Sequence, residues 1–174
     1  MKKGRVWKLL IPTLLLFVLD QGVKWWAYFR LGNLPIAPPF YPYGGIGIFQ
    51  NAFGIDFSLN FVLNRGGAWG MLSSIPYVLL GARIVIILAL AIYTFFLNKV
   101  SQRSIPLLFI LVGATSNILD FFTYGAVVDL FHFVLWGYSF PVFNVADTLI
   151  FFGVASLLVL SLFEKRKCYA HEPS

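Results

Sequence analysis

Two carboxylates lie in or beside apolar runs. Asp129 lies in VVDLFHF between Val127, Val128, Leu130 and Phe131, and Asp147 follows 18 residues later, in the first turn of FNVADTLIFFGVASLLVL. An ionised carboxylate in such apolar surroundings costs about 2.5–3.5 kcal/mol even on the most lenient insertion scale, so each requires a partner or a purpose. Two carboxyls that share a site cannot both ionise cheaply. One keeps a proton, and the pair then holds an acid and a base able to activate water and protonate a leaving amine. A helix N-terminus favours the ionised form of Asp147 and apolar neighbours favour the protonated form of Asp129. The expectation is a coupled pair with Asp147 as resting base and Asp129 as resting acid.

The motif around Asp147 has a second reading. Asn144 and Asp147 are three apart, as an N-cap and an N3 carboxylate would be, and taken alone the motif supports capping as well as chemistry. Asp129 decides between them, because it has no capping position and no basic residue within twenty positions on either side. Asn117 and Asp120, also three apart, share one helical face. Asp20 and Lys24, four apart, do the same and read as a structural ion pair; Lys24 as the base for a serine nucleophile would have to be neutral and unpaired, which Asp20 opposes. No metal is expected, since His132 is the only histidine outside the tail, and Cys168 stands alone in that tail. The Gly-x-Gly-Asp signature of other intramembrane aspartyl enzymes is absent, and Asp147-Thr148-Leu149 departs from the Asp-Thr-Gly of soluble aspartic proteases.

The elements that must position these groups are membrane helices. Of 174 residues, 59% are hydrophobic and 11% charged, and the mean hydropathy is +0.82, far from the balance of a soluble domain. Four apolar runs are long enough to cross a bilayer, at 9–29, 76–97, 105–122 and 145–163. The first is read as a retained span, because no small-x-small cleavage site follows it. Nine of the 13 basic residues fall before span one, between spans two and three, or after span four, against Arg30 and Arg65 on the other side and Lys24 and Arg83 inside spans. Both termini are therefore expected in the cytoplasm. This topology accounts for the net charge of +6 without nucleic acid. Segments 30–75 and 123–144 face outward, and in the first DFSLNFVLN alternates at a period of two, predicting a strand on the membrane surface. Trp7, Trp25, Trp26, Trp69 and Trp136 fit interfacial belts. The expected fold is an all-α membrane protein of four spans with a small outer β platform: one embedded domain over 1–167 and a tail at 168–174.

Five stretches in order, DQGVK (Asp20 to Lys24), NRGGAWG (Asn64 to Gly70), SNILD (Ser116 to Asp120), VVD (Val127 to Asp129) and FNVAD (Phe143 to Asp147), resemble the motifs of the bacterial type II, or lipoprotein, signal peptidases. The resemblance implies an aspartyl endopeptidase of the bacterial inner membrane. Such an enzyme cuts the signal peptide from a prolipoprotein just before a diacylglyceryl cysteine, near the outer leaflet. It implies Asp129 and Asp147 as catalytic dyad and Asn64, Gly66, Asn117, Asp120, Asn144 and Ala146 as pocket residues, with Asp20 and Lys24 in the first motif. No cofactor is implied; the partners are the precursor and membrane lipids, and the protein is expected to be a monomer. Two departures stand out. Phe121 replaces the family's arginine, so a cation for Asp120 or the substrate backbone must come from elsewhere, with Arg65 the candidate. A Pro/Gly-rich insert occupies 32–47. A membrane transport or binding subunit, or an inactive relative, are the competing readings.

Overall fold

The computed structural model describes residues 4–32, 45–66, 71 and 74–169, so 33–44 of the insert and Trp69 lie outside the described residues. Four long helices form, each from an apolar run. They are α1 (Gly4–Trp26, extended by a π-helical turn Ala27–Leu31), α2 (Pro76–Ile92, extended by a π-helical turn Tyr93–Leu97), α3 (Ser104–Tyr124, entered from a 3-10 turn Ser101–Arg103) and α4 (Val145–Tyr169). Pro76 opens α2, where a missing N–H is harmless. Gly125, at φ 75°, closes α3 in the left-handed conformation and turns the chain back over the helix end. Three helical stretches, Pro76–Leu97, Ser101–Tyr124 and Val145–Phe163, are long and apolar enough to cross a membrane. None of the residues of α2 is buried, and Val78, Val85, Ile86 and Leu88 are all exposed. Such a face needs lipid around it.

The apolar helices pack through small residues. A Cβ on Gly113 of α3 would run into the carbonyl oxygen of Ala146, and one on Gly153 of α4 would lie 2.7 Å from the carbonyl oxygen of Pro106. Those two glycines let α3 and α4 approach backbone to backbone. Because Gly113 is four residues before Asn117 and seven before Asp120, the same helix face that packs on α4 carries the polar side chains.

Against the helix ends sits a four-stranded antiparallel sheet in the order β1 (Ile46–Ala52), β2 (Ile55–Asn64), β3 (Val127–Leu135) and β4 (Tyr138–Ser139). Both hairpins close with two residues at positive φ, Phe53-Gly54 (56° and 82°) and Trp136-Gly137 (49° and 83°), the handedness that suits the strand twist. The expected strand is β2, but its alternation is broken. The register runs Leu59 opposite Phe131 and then Val62 opposite Asp129, so β2 carries one extra residue at this point. Without that bulge Asn64 would point to the opposite face from Asp129; with it, both share a face. Segment 123–144, expected only as an outer connection, supplies β3. One face of this strand, with Val128 and Leu130, packs with Ala27 and Leu31 into the buried core. The other face bears Asp129, Phe131 and Phe133, the last stacked on Phe57 with ring centroids 4.5 Å apart.

Gly113→Ala should lower stability by roughly 1–3 kcal/mol, whereas Gly81→Ala, whose Cβ meets nothing within 4 Å, should be neutral or slightly stabilising. Thermal unfolding in detergent compares the two; equal melting temperatures would refute the close helix approach.

Candidate active site

The polar centre is built on Lys24. Its ammonium, 0% exposed, lies 2.7 Å from Asp20 Oδ2 and 2.7 Å from Asp120 Oδ2 and donates to Asn117 Oδ1 at 2.8 Å. Three donors therefore meet three acceptors, the condition for burying an ammonium. Each acceptor is held in turn. Asp20 accepts from Ser116 Oγ at 2.7 Å through Oδ2 and from the Ala146 N–H at 2.8 Å through Oδ1. Asp120 accepts from Gln21 Nε2 at 2.8 Å and from the Val128 N–H at 3.2 Å. Through these bonds one cation ties α1 to α3, to the start of α4 and to β3.

From this base the amides reach Asp147 and Asp129. Asn117 Nδ2 donates to Asp147 Oδ1 at 2.8 Å. Asn144, fully buried, caps α4 reciprocally: the Asp147 N–H donates to Asn144 Oδ1 at 2.8 Å, and the Asn144 N–H to Asp147 Oδ2 at 3.3 Å. The same Asn144 donates through Nδ2 to Asp129 Oδ1 at 2.7 Å. One side chain thus caps the helix and bonds Asp129, so the cap does not take Asp147 away from its partner. Phe143 pairs with Phe131 through backbone bonds of 2.8 and 3.0 Å, which pins the start of α4 beside the strand that carries Asp129. On the other side Asn64 Nδ2 donates to Asp129 Oδ2 at 3.0 Å, and the Gly66 N–H fixes Asn64 through Oδ1 at 2.9 Å.

Both aspartates open onto one cavity of about 210 Å³, lined by Asn64, Gly66, Arg83, Asn117, Val127, Asp129, Val142, Phe143 and Asp147. Asp129 is 2% exposed, and burial together with the nearby Asp147 carboxylate pushes its pKa up to about 7, against the amide bonds from Asn64 and Asn144 and the charge of Lys24. Below that pH Asp129 holds its proton. His132 is not part of this centre: its Nδ1 lies 3.0 Å from Asn60 Nδ2 and its Nε2 2.9 Å from Ser139 Oγ, and burial lowers its pKa.

A family model described as signal peptidase (SPase) II matches residues 12–163. The chain belongs to the signal peptidase II family. Among curated relatives, a lipoprotein signal peptidase of Campylobacter jejuni subsp. jejuni is 35% identical over 154 residues, 88% of this chain and 86% of that protein. One of Syntrophus aciditrophicus is 31% identical over 167 residues, 91% of this chain and 93% of that protein. A solved bacterial membrane enzyme shares the fold at a TM-score of 0.73 with 21% identity, covering 95% of this chain and 93% of that one.

Within this signal peptidase II fold, Asn64, Gly66, Asn117, Asp129 and Asp147 line the cavity, while Asn144, Ala146, Asp120, Asp20 and Lys24 support it from behind. Arg65 does neither. It is exposed in the bend that follows β2, and the cation at Asp120 is Lys24, supplied by α1 from a point four residues past Asp20. The arginine that reaches the cavity is Arg83 of α2, whose Nη2 donates to the Gly66 carbonyl oxygen at 2.8 Å. The sequence carried a signal for it, a lone cation inside an apolar run, the same anomaly that singled out the aspartates.

Lys24→Met should destabilise by about 3–5 kcal/mol, because it leaves two buried carboxylates without a counter-charge. Combining it with Asp20→Asn and Asp120→Asn should restore most of that loss in thermal unfolding. A Lys24→Met single variant as stable as wild type would contradict the three-way pairing.

Proposed function

We propose that this chain is an aspartic endopeptidase that removes signal peptides from prolipoproteins, cutting before a diacylglyceryl cysteine, with Asp129 and Asp147 as its catalytic pair. The observation that carries this reading is that both carboxyls face one cavity and are bridged by a single buried amide, Asn144. Water held between the carboxyls gives a proton to Asp147 and attacks the scissile carbonyl carbon. Asp129 gives its proton to the carbonyl oxygen. When the tetrahedral diol collapses, the C–N bond breaks, the amine leaves with a proton from Asp147, and Asp129 recovers its own from the diol hydroxyl. The products are the signal peptide with a new carboxyl group and the lipoprotein with a free amine.

The setting is read from charge and length. α1, with Ile11, Leu14, Leu15 and Val18 exposed along its 23 residues, serves as a fourth span beside α2, α3 and α4. The basic residues then put both termini in the cytoplasm and the dyad near the outer leaflet of the bacterial inner membrane. Exposed Trp25 and Trp136 suit the interface there. The enzyme works as a monomer on lipid-borne precursors. The inactive-relative reading drew on the arginine absent at Phe121, and Lys24 answers the charge of Asp120 without it.

Asp129→Asn and Asp147→Asn should each abolish cleavage of a diacylglyceryl-modified precursor while the protein still folds; cleavage by either variant would remove the dyad. The pH profile follows from Asp129. Its proton is present below about 7 and lost above, so kcat/KM should fall on the alkaline side with an apparent pKa near 7. A rate still rising through pH 8 would contradict Asp129 as the acid.

A further inference from the structure

Hydrolysis creates a charge that the dyad cannot tolerate. A neutral peptide carbonyl enters the cavity and a carboxylate leaves it, formed beside Asp147 and Asp129 in a site where like charges repel strongly. Lys24 cannot answer this charge. Its three N–H donors are spent on Asp20, Asp120 and Asn117, and it does not line the cavity. Among the described residues the one basic side chain that lines the cavity is Arg83. It is half-buried on α2, a helix of which no residue is buried, and it lies within electrostatic reach of both aspartates. Its Nη2 is anchored on the Gly66 carbonyl oxygen, and Gly66 in turn holds Asn64, which holds Asp129. The anchor fixes the guanidinium at the cavity while engaging one of its five donors among the described residues.

We propose that Arg83 binds the carboxyl carbon's oxygens at the point of cleavage: the scissile carbonyl oxygen before hydrolysis, and the new C-terminal carboxylate of the signal peptide after it. The planar fork of a guanidinium matches a carboxylate with two parallel hydrogen bonds, which a lysine in the same place would not do. Arg83 is a binding residue; the proton transfers stay with the dyad. The inference rests on the peptidase reading of the site, and its test is binding, which can fail independently of cleavage.

The test uses the full-length protein in detergent at pH 6 and two synthetic peptides with the sequence of a signal peptide up to the residue before the cysteine, one a C-terminal acid and the other its amide. Wild type should bind the acid about 10-fold or more tightly than the amide, as a charge-assisted bidentate pair predicts. In Arg83→Gln the ratio should fall to about one, and in Arg83→Lys to an intermediate value. Asp129→Asn should keep the wild-type ratio while losing cleavage, so a failure of the dyad and a failure of Arg83 give different results. If Arg83→Gln does not fold, phenylglyoxal labelling of wild type carries the test. The acid should protect Arg83 from modification, read by mass spectrometry, and the amide should not. An Arg83→Gln variant with the wild-type ratio, a wild type that binds both peptides equally, or equal labelling under the two peptides would overturn the assignment.

Discussion

One buried ammonium holds the site together. Lys24 lies where water does not reach, and its charge is acceptable there only because Asp20, Asp120 and Asn117 take all three of its protons. Those acceptors come from two helices, and their remaining lone pairs receive the backbone N–H groups of Ala146 and Val128, so the position of α4 and of β3 is referred to the same cation. Asp147 and Asp129 stand one and two bonds further out. Their geometry is therefore inherited from a cluster whose charged members, Lys24, Asp20 and Asp120, stand behind the cavity while Asn117 reaches it, which is how a small bundle with few packed layers keeps two carboxyls in place.

The environments of the two aspartates differ in kind. Asp147 starts a helix, is capped by Asn144 and receives Asn117, an arrangement of donors that suits a carboxylate. Asp129 comes from a strand and, among the described residues, meets amides through its oxygens, with the half-buried carboxyl of Asp147 as its neighbour. The β2 bulge belongs to the same design. By turning Asn64 onto the face of Asp129 it adds the second amide, and through Gly66 it links the acid to Arg83. Aromatic stacking of Phe57, Phe133 and Phe143 stiffens the sheet from which these groups project.

Much of this was legible in the sequence. The helices follow from apolar runs, β2 from its alternation, and the meeting of Asp129 and Asp147 at one cavity from the cost of a carboxylate at Asp129. The Asp20–Lys24 pair follows from helical spacing, but its third member does not, because Asp120 lies 96 residues away and only packing brings it to Lys24. The strand β3 was hidden for a physical reason. Both of its faces are apolar, one against the helices and the other in the aromatic stack, so VVDLFHFVL shows no alternation. The bulge left no trace either, since β2 reads as a regular strand. Arg83 did leave one, a cation within an apolar run, whereas Arg65 is the expected candidate only as the one basic residue in the outer segments after Arg30.

The proposed mechanism needs an asymmetric pair in which Asp129 holds the proton. Infrared difference spectroscopy of the carboxylic acid C=O stretch tests it most directly, with pH as the variable. Wild type should show a band at pH 6 that disappears with a midpoint near 7, that is missing in Asp129→Asn, and that persists in Asp147→Asn with a lower midpoint, because removing the neighbouring charge eases ionisation. A band that survives in Asp129→Asn and vanishes in Asp147→Asn would place the proton on Asp147 and overturn the assignment of acid and base.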